Sequence, residues 1–320
     1  MTMRGRTLGL GLLLLAALAV VAVASAWAPD RPVETLKARW APPPSQFLTV
    51  GGLAVHLRDE GPRDDPLPIV LIHGTSASLH TWDGWAAAMH GERRVIRFDL
   101  PGFGLTGPSA DADYGIAAYV RFVLAVLDTL QVERVVLAGN SLGGEVAWRT
   151  ALAAPQRVER LVLVDAGGYA FTSRSVPLGF RLARLPVARD LAGSLLPRSL
   201  VERSVREVYG DPSRVDAALV DRYYELALRK GNRRALVQRF EQVHPGAEAA
   251  SITRLRVPTL VLWGGRDHLI PPEHAAAFGR DIAGSRVVVF DELGHVPHEE
   301  DPARTVAEVR RFLGLAPVLP

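Results

Sequence analysis

The chain is 320 residues long and 48% hydrophobic, which excludes a disordered protein and is enough for one large domain or two average ones. Its formal net charge of +3 includes no run of five or six like charges, so the sequence predicts no nucleic-acid partner. Cysteine is absent, which excludes disulfides, thiolate metal sites and a cysteine nucleophile.

The N-terminus carries an uncharged apolar run, Leu8 to Ala26, preceded by Arg4 and Arg6. As a helix rising about 1.5 Å per residue it would be roughly 28 Å long, close to the thickness of a bilayer core. Basic residues stay on the cytoplasmic side, so this orientation places the rest of the chain outside. Ala24-Ser25-Ala26 also fits signal-peptide cleavage. We therefore predict that residues 1–28 are a membrane anchor or a signal peptide, and that the protein is anchored or exported.

Short segments with distinct turn chemistry follow. Prolines, including Pro42-Pro43-Pro44, punctuate residues 29–46 and predict a linker. Phe47 to Val50 and Leu53 to Leu57 flank Gly51-Gly52, which predicts a hairpin.

Apolar strands then alternate with helical runs. The predicted strands are Ile69 to Ile72, Val95 to Phe98, the run from Val135, Leu161 to Val164, Thr259 to Trp263 and Arg286 to Phe290. A helical period covers Ile116 to Leu130. This alternation predicts a mainly parallel sheet with helices on both faces. Between 169 and 256, helical patterns interrupted by prolines replace it, which predicts a helical insertion.

Ser141 lies where the strand from Val135 turns abruptly into a helical pattern, within Gly139-Asn140-Ser141-Leu142-Gly143. This G-x-S-x-G string is typical of a nucleophile elbow, in which a strained serine needs glycine neighbours. The motif alone is weak, because glycine-rich turns also occur without catalysis. Residues elsewhere in the chain must show whether Ser141 is catalytic.

A catalytic serine needs a base, and the base needs an orienting group. His295 follows the last predicted strand and Asp267 follows the strand before it. The carboxyl ends of parallel strands open onto one edge of a sheet, so we predict Ser141 as nucleophile, His295 as base and Asp267 as acid. His298 is the second choice of base, and Asp165 is the reserve acid.

Two backbone amides are predicted to stabilise the oxyanion that acyl transfer creates. One belongs to Leu142, at the start of the helix after the nucleophile. The other belongs to Thr75, in the loop after the strand ending at Ile72, where Gly74 allows close approach of the backbone.

A metal site is not predicted. His295, His298 and Glu299 form H-x-x-H-E, which is neither of the known helix-borne zinc patterns, and Pro297 argues against a regular helix there.

Taken together, these motifs resemble the α/β-hydrolase superfamily, in the branch that includes serine esterases, carbon–carbon bond hydrolases and proline iminopeptidases. The resemblance covers roughly residues 47 to 315. Its five motifs, in order, are His73-Gly74, Asp99-Leu100-Pro101-Gly102-Phe103-Gly104, Gly139-Asn140-Ser141-Leu142-Gly143-Gly144, Trp263-Gly264-Gly265-Arg266-Asp267 and Gly294-His295-Val296-Pro297.

The resemblance implies the α/β-hydrolase fold: a mainly parallel, eight-stranded sheet with helices on both faces and an inserted helical cap. Its core would be residues 47–168 and 257–320, and its cap residues 169–256. It implies the same triad of Ser141, Asp267 and His295, and no cofactor. Haloalkane dehalogenases and epoxide hydrolases place an aspartate at the elbow, so Ser141 argues against both.

Three functions stay open at this point. The leading hypothesis is a serine hydrolase that cleaves small, largely apolar carboxylic esters through an acyl-enzyme. The first alternative is carbon–carbon bond hydrolysis of ring-cleavage-type dienone acids, because Gly-Asn-Ser-x-Gly-Gly occurs in both groups. The second is a non-catalytic ligand-binding module. The partners expected are a small-molecule ester and, through the N-terminal segment, a membrane; the acyl chain length and the oligomeric state stay open.

Overall fold

The computed structural model describes residues 24–185 and 193–316, together with Ala17 and Val21. The anchor or signal peptide predicted at residues 1–28 lies almost entirely outside this part of the chain. None of the helices described is both long enough and apolar enough to span a bilayer.

Eight strands form one sheet, as predicted. They are β1 (Gln46–Val50), β2 (Leu53–Glu60), β3 (Ile69–Ile72), β4 (Val95–Phe98), β5 (Val135–Asn140), β6 (Val158–Val164), β7 (Thr259–Gly264) and β8 (Arg286–Phe290). Their spatial order is β1-β2-β4-β3-β5-β6-β7-β8. β2 pairs antiparallel with both β1 and β4, whereas β3 to β8 run parallel. Because β5, β6, β7 and β8 are parallel, their carboxyl ends lie along one edge of the sheet.

Helices cover both faces of the sheet. The helices are α1 (Val33–Trp40), α2 (Asp83–Met89), α3 (Ile116–Thr129), α4 (Leu142–Ala153), α5 (Leu178–Ala183), α6 (Arg198–Arg206), α7 (Ala217–Ala227), α8 (Asn232–Glu241), α9 (Glu273–Asp281), α10 (Pro297–Glu300) and α11 (Pro302–Leu313). Residues of α2 and α11 pack on one face of the sheet, and residues of α3, α4 and α9 pack on the other.

The central strands are apolar throughout because both of their faces are covered. In β3, Val70 and Ile72 join the core on the α3 and α4 side, whereas Ile69 and Leu71 join the core beneath α2 and α11. All four side chains are fully buried. A strand of this kind fixes its own register, because a slip by one residue would exchange its two faces.

The helices α5 to α8 lie between β6 and β7 and form the cap. Residues 29–46, which were predicted to be a linker, contain a helix. This helix, α1, occupies Val33–Trp40 and buries Leu36 against Leu226 of the cap. The proline pattern did not indicate this helix, because Pro32 and Pro42 flank it and the interior holds none.

Candidate active site

The turn between β5 and α4 has the backbone of a nucleophile elbow. Ser141 has φ 55° and ψ −115°, a conformation that a residue with a side chain adopts only under strain. The turn is this sharp because two glycines let backbones approach. A Cβ on Gly139 would lie 2.1 Å from the carbonyl oxygen of Gly143, and a Cβ on Gly143 would lie 2.2 Å from that of Ile72. Ser141 is thereby exposed to the cavity beneath the cap.

His295 and Asp267 form a buried pair beyond the ends of β8 and β7. Nδ1 of His295 lies 2.7 Å from Oδ2 of Asp267. The other oxygen, Oδ1, accepts hydrogen bonds from the backbone N–H groups of Leu269 at 2.8 Å and Ile270 at 2.9 Å. These bonds fix the carboxylate and favour the tautomer that carries hydrogen on Nδ1. Nε2 is then the ring nitrogen able to accept a proton, and His295 lines the same cavity as Ser141.

Asp165, the reserve acid, lies beside this pair at the end of β6. It is fully buried with φ 45°, and its Oδ1 accepts a hydrogen bond from the N–H of Gly264 at 2.9 Å. Burial raises the pKa of Asp165 well above its usual range, and the adjacent charge of Asp267 raises it further. A neutral Asp165 therefore accompanies the carboxylate of Asp267, and it is Asp267 whose oxygen lies against the ring of His295.

Asp165, Asp267 and His295 also place three possible metal ligands within 4.8 Å of one another. Their hydrogen bonds already account for this proximity. Nδ1 of His295 is engaged with Asp267, and the backbone N–H of Gly264 occupies one oxygen of Asp165.

Asn140 joins the elbow to the histidine loop. Its side-chain Nδ2 donates to the carbonyl oxygens of Val164 at 3.2 Å and His295 at 3.0 Å. No sequence pattern indicated a role for Asn140, although it directly precedes the predicted nucleophile. One buried side-chain amide therefore connects the elbow turn to the loop that carries His295.

The loop predicted to supply an oxyanion amide is held by His73. The ring is fully buried, and burial lowers its pKa, so it is neutral. Nε2 accepts a hydrogen bond from the N–H of Leu100 at 2.9 Å, which leaves the hydrogen on Nδ1 to be donated to the carbonyl oxygen of Gly74 at 2.7 Å. Thr75 and Leu142 both line the cavity that contains Ser141.

His298, the second choice of base, lies elsewhere. Its ring stacks on Trp82 with centroids 4.0 Å apart, and within the described residues neither ring nitrogen has a hydrogen-bond partner. Burial, reinforced by the nearby His295, lowers its pKa well below the usual range. His298 is therefore a neutral packing residue, and of these two histidines it is His295 that contacts a carboxylate.

The cap and the histidine loop are bonded directly. The carboxylate of Glu300 accepts hydrogen bonds from the N–H groups of Gly210 at 2.9 Å, Asp211 at 2.8 Å and Gly294 at 2.8 Å. The N–H of His295 donates to the carbonyl oxygen of Val208 at 2.8 Å. The position of His295 thus depends on the cap as well as on the sheet.

A cavity of about 470 Å³ lies between the sheet edge and the cap. Its size falls within the range of small-molecule sites. Most of its wall is aliphatic or aromatic; examples are Phe180, Leu182, Leu200, Leu236, Val237 and Phe240. The charged side chains in the wall are few and include Glu145, Arg233 and Arg239.

Comparison with known proteins agrees with this architecture. A family model described as the alpha/beta hydrolase fold matches residues 68–302. An uncharacterised protein of Mycobacterium tuberculosis is 33% identical over 287 residues, which are 85% of this chain and 82% of the relative. A 2-hydroxymuconate semialdehyde hydrolase of a Pseudomonas species is 30% identical over 280 residues, 84% of this chain and 93% of the relative.

Among solved structures, the crystal structure of a membrane phospholipase A is similar with a TM-score of 0.73 and 25% identity, over 98% of both chains. The fold and the matches together define a hydrolase of the α/β type. The chain belongs to the alpha/beta hydrolase fold family.

Proposed function

We propose that this protein is a serine hydrolase that cleaves carboxylic esters with a largely apolar acyl group. The observation that carries the proposal is the placement of Ser141, on a strained elbow, in the same apolar cavity as the ring of His295, whose Nδ1 is bonded to Asp267. An imidazole oriented in this way is suited to take the proton of a serine hydroxyl.

In the proposed reaction, Oγ of Ser141 attacks the ester carbonyl carbon while Nε2 of His295 takes the hydroxyl proton. The oxyanion accepts hydrogen bonds from the amides of Thr75 and Leu142. The alcohol leaves with the proton held by His295, which gives an acyl-enzyme. Water then attacks the acyl carbon, transfers a proton to His295, and the acid is released as Ser141 regains its proton.

A second candidate is hydrolysis of a carbon–carbon bond in a ring-cleavage-type dienone acid. It is supported by relatives that carry such names, including a 2-hydroxy-6-oxo-2,4-heptadienoate hydrolase of Pseudomonas putida at 31% identity over 84% of this chain. The two candidates are separated by assaying a dienone acid beside a panel of aryl esters.

The test of the leading proposal is ester hydrolysis by the full-length protein and by Ser141→Ala. We expect kcat to fall by about 10⁶-fold, as for other serine triads. A serine-directed fluorophosphonate should label the parent protein and leave the variant unlabelled. Hydrolysis at the parent rate by Ser141→Ala would refute the proposal.

We also propose that residues 1–28 hold the hydrolase at a membrane or direct its export. Support comes from the apolar run and from the similarity to a protein described as a membrane phospholipase A. Cell fractionation of the full-length chain tests this. Recovery of the unprocessed chain only in the cytosol would contradict it.

A further inference from the structure

The cap helix α8 presents arginines to the cavity among apolar residues. Arg233 and Arg239 are 7% and 5% exposed, and both line the cavity with Ser141. The same helix adds Leu236 and Phe240 to the wall. A guanidinium is costly to bury without a counterion, so two of them in an apolar wall call for an explanation.

Arg239 has no carboxylate partner at ion-pair distance among the described residues. Its Nη1 makes a long hydrogen bond of 3.4 Å to the carbonyl oxygen of Tyr114, its guanidinium lies 5.7 Å from the centre of the Tyr119 ring, and its Nε has no partner. The ring contact is weakly favourable. These contacts leave most of the donors of a buried cation unused.

Only one nitrogen of the Arg233 guanidinium, Nη2, has hydrogen-bond partners among the described residues. Its Nη2 donates to Oδ1 of Asp30 at 2.6 Å and to the carbonyl oxygen of Gly193 at 3.0 Å. Within the described part of the chain, its Nε and Nη1 have no partner. Arg233 therefore has a structural role at the N-terminal segment, whereas Arg239 has none that its contacts reveal.

Glu145 is an acidic residue whose charge acts on Arg239. It lies one helical turn after Ser141 and also lines the cavity. Burial raises its pKa, against the weaker pull of Arg239 and Arg149. Burial therefore limits how far Glu145 can compensate the charge of Arg239.

From this arrangement, and given the proposed ester hydrolysis, we propose that Arg239 binds an anionic group of the substrate, a carboxylate or a phosphate, while the apolar wall holds the rest of the molecule. An oxyanion of either kind would pair with the unused N–H donors and remove the cost of the buried charge. The substrate class is then an amphiphilic ester with one anion.

The experiment uses substrates matched in length, with the full-length protein. One pair is the 4-nitrophenyl ester of hexanoic acid and the 4-nitrophenyl monoester of adipic acid, which adds a carboxylate at the acyl end. The other pair is a monoacylglycerol and the same molecule bearing a phosphate on its alcohol. The pair that shows a preference for the charged member identifies the anion.

We expect Arg239→Gln to reduce the ratio of kcat/KM for the anionic member over the neutral member by at least tenfold. Arg239→Lys should retain more of that ratio, because it keeps a positive charge. Arg234→Gln is the matched control: Arg234 is on the same helix and carries the same charge, but it is exposed and outside the cavity wall. Its ratio should equal that of the parent.

Equal losses on both members of a pair would overturn the proposal, since they would indicate a merely structural arginine. If Arg239→Gln does not fold, thermal unfolding of the parent protein tests the proposal instead. Octanoate should raise its Tm more than octanol does at equal concentration. Equal shifts in Tm would overturn the proposal. Failure of the proposed function would appear separately, as ester hydrolysis that survives in Ser141→Ala.

Discussion

Single residues at the strand ends decide the electrostatics of the site. Asp165 and Asp267 are two buried carboxyl groups in contact, and two such groups cannot both ionise without a large cost. The pair therefore retains one proton. The structure places it on Asp165, because Asp267 accepts two backbone N–H bonds and contacts His295, whereas one oxygen of Asp165 has no partner among the described residues.

This arrangement predicts a pH-dependent effect of Asp165→Asn. In the unfolded chain Asp165 ionises near pH 4, but in the folded protein its pKa is raised, so its stabilising contribution is complete below about pH 4 and is lost as pH rises through the folded pKa. Asparagine imitates the neutral acid at every pH. We therefore expect the stability of Asp165→Asn relative to the parent to increase between pH 5 and pH 8, by up to about 1.4 kcal/mol per pH unit.

Urea unfolding of both proteins at the two pH values measures this difference. A difference that is the same at pH 5 and pH 8 would show that Asp165 is ionised in the folded protein.

The sequence was sufficient to predict which residues meet at this edge, since Ser141, Asp267 and His295 each follow a predicted strand of the parallel sheet. It could not show that Asp165 contacts Asp267, because that depends on how two neighbouring loops turn. The role of Asn140 was missed for a similar reason: its partners are carbonyl oxygens, which leave no pattern in a sequence.

At the scale of elements, the join between the cap and the core depends on α10. Glu300 lies at its end and accepts N–H bonds from both the cap segment and the histidine loop. Arg222 and Tyr223 of α7 add a second connection, to the carboxylate of Glu299. The cap is therefore held against His295 by charged hydrogen bonds rather than by apolar packing alone.

We predict that Glu300→Gln destabilises the protein by about 2–4 kcal/mol, since an amide NH₂ would face N–H donors and the charge on the acceptor would be lost. We also expect kcat to fall, because Gly294 directly precedes His295. Denaturant unfolding and ester kinetics measure the two effects.

Glu292→Gln is the control for this prediction. Glu292 pairs with Arg304, but both side chains are 48% exposed, so the change should cost no more than about 1 kcal/mol. Equal destabilisation by the two variants would contradict the role assigned to Glu300.

The elements themselves were predictable to different degrees. The eight strands were found because short apolar or alternating runs bounded by turn residues are distinctive. The cap was recognised only as helical, and α1 was missed, because short helices between prolines depend on tertiary packing more than on their own propensity. In α1 that packing is Leu36 against the cap.

At the scale of the whole molecule, the N-terminal segment is bound to the cap rather than to the sheet. The N–H of Ala28 donates to Ser194 at 2.8 Å, the N–H of Leu196 donates to Ala26 at 2.9 Å, and the N–H of Arg31 donates to Leu228 at 2.7 Å. These bonds, all to backbone carbonyl oxygens, make residues 24–31 an added edge of the cap.

The side chain of Asp30 extends this attachment to the cavity wall. Its Oδ1 accepts from Nη2 of Arg233 at 2.6 Å, and its Oδ2 accepts from the N–H of Gly231 at 3.1 Å. Both donors belong to the start of α8, whose apolar face lines the cavity. Residues 24–31, which include the end of the predicted anchor, therefore help to position the wall of the cavity.

We therefore predict a difference between two truncated forms, residues 24–320 and residues 32–320, both of which retain α1. Loss of the seven hydrogen bonds between residues 24–31 and the cap, offset by the entropy regained by the segment, should cost the shorter form about 1–3 kcal/mol and roughly 2–6 °C in Tm. Its KM for an apolar ester should rise, because Arg233 loses its partner and α8 its attachment. Asp30→Asn in the longer form separates the ion pair from the backbone bonds and should give an intermediate result. Identical Tm and KM values for the two forms would show that the N-terminal segment only rests on the cap and does not shape the cavity.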